Sequence, residues 1–189
     1  MKTRIIKSMG IFVFTMILVG CGSKSINPQG RESGVNLSGK IVYIQGHSAR
    51  YARNARIANN IKRECKITSQ VITFIKESAQ KNGVMVKIVN NVPSGAYVLK
   101  VEITDAVSQG NAFIGHNKFT AISGRLVKSG STIGTFRAAR RSGGGFFGGY
   151  KSSCSVLGRT VKALGQDVGR WIVRPTRGDE LGDVGLIIH

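Results

Sequence analysis

Two groupings of residues could carry chemistry. The first is the glycine-rich stretch GGGFFGGYKSS, Gly143 to Ser153. A phosphate loop reads G-x-x-x-x-G-K-[ST], with backbone N–H groups converging on phosphate and a lysine reaching the terminal phosphates. Gly144 and Gly149 keep that spacing, but Tyr150 stands before Lys151 and Ser152 and displaces the lysine. No convincing acidic strand is present to hold magnesium. The stretch therefore reads as a connection from the last strand to the last helix, with glycines permitting close packing and positive backbone dihedrals. Phe146 and Phe147 are either ring anchors under the sheet edge or, with Tyr150, an exposed contact for a protein or lipid partner.

The second grouping is the titratable set. His47, His116 and His189 are far apart and lack metal-binding spacing, and there is no G-x-S-x-G elbow. Glu102 and Asp105 fall on, or at the end of, a strand whose polar face would expose them. Without a catalytic constellation, the chain is expected to be no enzyme and to use no metal or cofactor.

Charge is more informative. The formal net charge is +19, from 28 Lys and Arg against 9 Asp and Glu. Arg50, Arg53 and Arg56 recur at three-residue spacing and, if helical, form a basic stripe continued by Lys62 and Arg63. That set is the candidate anion-binding patch. The alternative is a solvated surface, since only Tyr51 supplies the aromatic interleaving of single-stranded nucleic-acid binders. In the cytoplasm such a balance would suggest nucleic acid. In a cell envelope it suits lipopolysaccharide phosphates, anionic headgroups or cell-wall carboxylates.

The first residues favour the envelope. Lys2, Arg4 and Lys7 precede an apolar run from Ile11 to Val19, followed by Gly20 and Cys21. A basic start, a short apolar core and small residues after it are the anatomy of an export signal, too short for a comfortable membrane span. Leu18-Val19-Gly20-Cys21 resembles the lipobox of bacterial lipoproteins. That resemblance implies cleavage before Cys21, a thioether-linked diacylglycerol on it, and a further acyl chain, such as palmitate, on the new amino terminus. Gly22 in the following position implies sorting to the outer membrane. With Cys21 lipidated, Cys65 and Cys154 remain, and an oxidising periplasm allows them one pairing. In the chain-entropy model a loop of this length stabilises by roughly 4 to 5 kcal/mol.

The elements that must position these groups follow from periodicity. Lys40 to Gln45 reads as a strand. Ile67 to Gly83 reads as a half-buried helix capped by Thr68 or Ser69, and Val84 to Asn90 as a second strand. In Tyr97 to Ala106, Leu99, Val101 and Ile103 alternate with Lys100, Glu102 and Thr104, the pattern of a strand with one wet side. Phe119 to Lys128 and Thr132 to Arg141 form a hairpin around Ser129-Gly130, and Gly124 marks a candidate bulge. In Cys154 to Ile172 an apolar face of Leu157, Val161, Leu164, Val168 and Trp171 lies beside Gly158, Gly165 and Gly169. These glycines either admit a close neighbour or sit on an exposed face.

The expected fold class is α+β: a curved, mostly antiparallel sheet of about five strands with two main helices packed on one face. Residues 1–20 read as signal peptide, 21–38 as lipidated Cys and flexible tether, 39–173 as a single domain, and 174–189 as an irregular tail. The lipobox, Glu64-Cys65 before one helix and Cys154-Ser155-Val156-Leu157-Gly158-Arg159 opening the other look like small exported bacterial lipoproteins of uncharacterised function. More remotely, the element order is similar to the α/β domains of periplasmic accessory lipoproteins. What this implies is a non-enzymatic outer-membrane lipoprotein, anchored in the membrane by its lipid and facing the periplasm. Its partner would be an envelope protein or peptidoglycan, or else an anionic glycolipid or acidic polysaccharide. Nucleic acid is not expected.

Overall fold

A computed structural model describes residues 34–47, 49–111, 115–143 and 153–186. The signal segment, Cys21, the tether to residue 33, Phe146, Phe147, Tyr150 and His189 lie outside the described residues. The elements are β1 (Ile41–Gln45), β2 (Arg50–Ile57), α1 (Asn59–Glu64), α2 (Ile67–Lys81), β3 (Met85–Val89), β4 (Tyr97–Asn111), β5 (Gly115–Lys128), β6 (Ser131–Gly143), α3 (Ser153–Trp171) and β7 (Asp179–Gly182). A single turn of 3-10 helix, Val184–Leu186, follows.

The sheet has seven strands in the order β3-β1-β4-β5-β6-β7, with β2 also on β4. It is larger and more mixed than the expected five mostly antiparallel strands. The antiparallel part is the β4-β5-β6 meander, while β1, β2 and β3 on one side and β7 on the other join in parallel. The reason is connection length. Parallel neighbours need a crossover, usually helical, and each main helix supplies one: α2 lies between β1 and β3, and α3 between β6 and β7. The segment after Pro175 is therefore not an irregular tail. Gly178 turns the chain at φ +74°, β7 pairs with β6, and Asp179 accepts a hydrogen bond from Trp171 Nε1 at 2.8 Å.

One face of the sheet packs on both main helices. Leu99, Val101 and Ile103 are buried there with Ile67, Val71, Ile72 and Ile75 of α2 and Leu157, Val161, Leu164 and Val168 of α3. The glycine stripe of α3 meets α2 directly. A Cβ at Gly165 would fall on Phe74, and one at Gly169 on Ser78, so the two backbones approach more closely than larger residues allow. Cys65 and Cys154 form a disulfide with their Cα atoms 5.1 Å apart, tying the segment before α2 to the start of α3.

Two local expectations change. Gly124 is no bulge: it pairs in register with Val101 and Phe136, and a Cβ there would come within 2.5 Å of the Phe136 ring. The β4-β5 irregularity lies instead between Ile103 and Asp105. Nor do Thr68 and Ser69 cap α2. Lys66 occupies the cap position without a side-chain bond, and the Ser69 hydroxyl donates to its carbonyl at 3.1 Å.

Candidate functional site

The opposite face of the sheet carries no described α-helix; the 3-10 turn sets Val184 against Ala121 and Ala139, beside Phe119. Strand alternation and register place Arg50, Arg56, Lys100, Arg125, Arg137 and Arg141 on this face, against Glu102, Asp105 and Glu180. They form cross-strand rows. One runs Arg50, Glu102, Ser123, Arg137, Glu180; the next contains Lys100, Arg125 and Thr135.

Between these rows and the β1/β2 edge lies a cavity of about 630 Å³. Its origin is a mismatch in strand length. Tyr43 is in register with Val98, and Arg50 with Glu102, so the edge takes seven steps while β4 takes four. The surplus loops out through Gly46, whose φ is +81°. Its N–H donates to Val89 at 2.9 Å, and the Ala49 N–H donates to Thr68 at 3.0 Å. Opposite Leu99, Lys100 and Val101 no described strand pairs on this side. The gap opens the sheet, so the charged residues Arg50, Lys100, Glu102 and Arg125 border a space above Leu99 and Phe136, which stay buried in the helix-side core.

The anion stripe does not take the helical form. Arg50, Arg53 and Arg56 lie on strand β2 rather than on a helix, because this segment continues the β1 edge along β4. Arg56 is held by Asp105 at 2.6 Å, and that carboxylate is buried. Asp105 Oδ1 has no hydrogen-bond partner among the described residues. Lys62 and Arg63 belong to the short α1, with the Lys62 ammonium 5.7 Å from the centre of the Tyr51 ring, a cation–π contact. Only Arg50 of the five lines the cavity. Sequence reasoning missed Lys100 and Arg125. Lys100 was visible as a wet-face residue of its strand, but its alignment with Arg125 depends on the hairpin register.

A second charged cluster joins β6 to α3. Asp167, buried, accepts two bonds from Arg140 at 2.7 and 2.8 Å and one from Arg170 at 2.5 Å. Hydrogen bonding to Asp167 pushes the Arg140 guanidinium pKa up against the opposing effect of burial. Nearby, buried Lys118 bonds Ser108, and desolvation lowers its pKa. The Thr160 hydroxyl donates to the Leu157 carbonyl at 2.7 Å, so Thr120 is the donor across the 2.7 Å contact to Thr160. Among the described residues no cluster of three His, Cys, Asp or Glu could hold a metal ion, and no helix is long and apolar enough to cross a membrane.

No protein-family model and no curated protein matches the chain. Among solved structures it is similar to a minor lipoprotein from Acinetobacter baumannii, with 14% identity over 73% of this chain and 98% of that one, and a TM-score of 0.47. A PelC dodecamer from Paraburkholderia phytofirmans gives 12% identity over 72% and 95%, with a TM-score of 0.44. Lipoprotein GNA1162 from Neisseria meningitidis gives 14% identity over 66% and 94%, with a TM-score of 0.41. Likenesses of this size assign neither family nor function.

Proposed function

We propose that this chain is a non-enzymatic outer-membrane lipoprotein, anchored through Cys21, whose periplasm-facing domain binds an envelope protein or peptidoglycan on the sheet face opposite the two main helices. The observation that carries the reading is the contrast in cover. One face is closed by two helices, while the other presents rows of charge with no described α-helix on them. The lipobox and the Cys65–Cys154 bridge support export to an oxidising compartment.

The first test is the intact mass of protein extracted from its native membranes, alkylated with and without prior reduction. A chain beginning at acylated Cys21, with the other two cysteines alkylated only after reduction, is expected. An unprocessed chain with free thiols would overturn the location. For the binding surface, a photocrosslinker at Ser123 should capture a protein or peptidoglycan fragment that one at the helix position Lys76 does not. Equal yields from the two positions would remove the sheet face as the contact.

A second reading, recognition of anionic envelope ligands such as lipopolysaccharide or acidic polysaccharide, is favoured by the cations at the cavity. Arg50, Lys100 and Arg125 form no ion pair among the described residues.

A further inference from the structure

The break in the β1/β2 edge is also a break in charge balance. Lys100 and Arg125 stand directly opposite each other on β4 and β5, a position in which like charges repel and destabilise the strand pair. Elsewhere on this face the in-register arginines have acids: Arg56 has Asp105 and Arg137 has Glu180. The cavity lining holds three cations and one acid, Glu102, which leaves a local formal charge of +2.

A phosphate monoester matches that surplus. It carries roughly −1.5 to −2 at pH 7 and offers three strong acceptor oxygens, which suit guanidinium forks together with an ammonium. One carboxylate would leave part of the surplus uncompensated. The cavity, about 630 Å³, lies within the roughly 300 to 1,000 Å³ of small-molecule sites, and it is too small for a folded partner. We propose that the cavity at the β1/β2 break binds a small organic phosphate monoester, with Arg50, Lys100 and Arg125 as its charge-bearing contacts. The proposal rests on the anionic-ligand reading and narrows it to one site and one chemistry.

The experiment is calorimetric titration of the full lipidated chain in detergent. The probes are N-acetylglucosamine 1-phosphate, uncharged N-acetylglucosamine, phosphatidic acid in mixed micelles, and an alginate oligosaccharide. Saturable binding of the sugar phosphate and none of the uncharged sugar is expected. Arg125→Gln and Arg50→Gln should each weaken it roughly tenfold to hundredfold, the worth of a hydrogen bond to a charged group. Arg137→Gln removes the same charge from the same face and should change binding less than twofold. Arg125→Gln relieves a repulsion at an exposed position, so the variant remains folded, which circular dichroism checks. Equal losses in the Arg125 and Arg137 variants would overturn the site. Binding of phosphatidic acid without the sugar phosphate would overturn it in favour of a lipid headgroup. Binding of alginate alone would overturn it while leaving the anionic-ligand reading intact.

Discussion

The helix side of the sheet and the cavity on its other side treat charge in opposite ways. On the helix side, Arg140 reaches Asp167 at the edge of the core, and that carboxylate is shared with Arg170. On the open side, Arg50, Lys100 and Arg125 border a cavity around a single Glu102. With 9 acidic residues against 28 basic ones, one-to-one pairing would leave 19 cations over, so the placement of acids is selective. Asp105, Asp167, Asp179, Glu180 and Asp183 all hold structure together through hydrogen bonds or ion pairs. The lesson is that a surplus of charge becomes a candidate site where register forces like charges together beside open space. Scattered surface lysines do not qualify.

The largest test of the contrast is on the closed side. Replacing Cys65 and Cys154 with serine opens a loop whose ends are 89 residues apart and should cost about 4 kcal/mol in urea unfolding, close to the chain-entropy value. A loss below about 1 kcal/mol would mean that helix packing alone holds this face. Gly165→Val drives a branched side chain into Phe74 and its backbone, so a cost near 3 kcal/mol is expected despite better helix propensity. An unchanged midpoint would show that the helices can separate.

Asp167→Asn removes the negative charge and one of the two acceptor oxygens that two arginines share, and about 2 kcal/mol of stability should go with it, discounted because Arg170 is largely exposed. The matching change on the open face, Glu102→Gln, should move stability by less than about 0.5 kcal/mol. Similar costs for the two would erase the distinction between the faces. The smallest effect has the opposite sign: Arg125→Gln should raise stability by about 0.5 kcal/mol by removing the facing like charge. A loss instead would identify Arg125 as a packing residue.

Much of the helix side was legible in the sequence. The apolar period of Ile67 to Ala79 and of Leu157 to Trp171 specifies two amphipathic helices, because burial repeats with the helical turn. The glycine stripe was visible as well, although only its contact with Phe74 and Ser78 shows that it admits a close neighbour. The alternation of Tyr97 to Ala106 likewise revealed a half-buried strand.

The open side was less legible for a physical reason. Strand β2, RYARNARI, has its arginines at three-residue spacing and so mimics a helical stripe. Its strand state comes from pairing with β4, which overrides local pattern. Strand β7, DELG, carries no apolar alternation and exists because α3 returns the chain to the edge of β6.

Composition and order alone determined the strong positive charge, the two amphipathic helices, one cysteine at or beside the start of each, and the β4-β5-β6 meander. Those properties depend on residue identity and on local periodicity, which a linear reading preserves. Tertiary structure decided which strands run parallel, where the edge breaks, and which cations meet. Lys100 and Arg125 face each other only because the hairpin register aligns them, and the cavity beside them exists only because seven residues of one edge span four of the next.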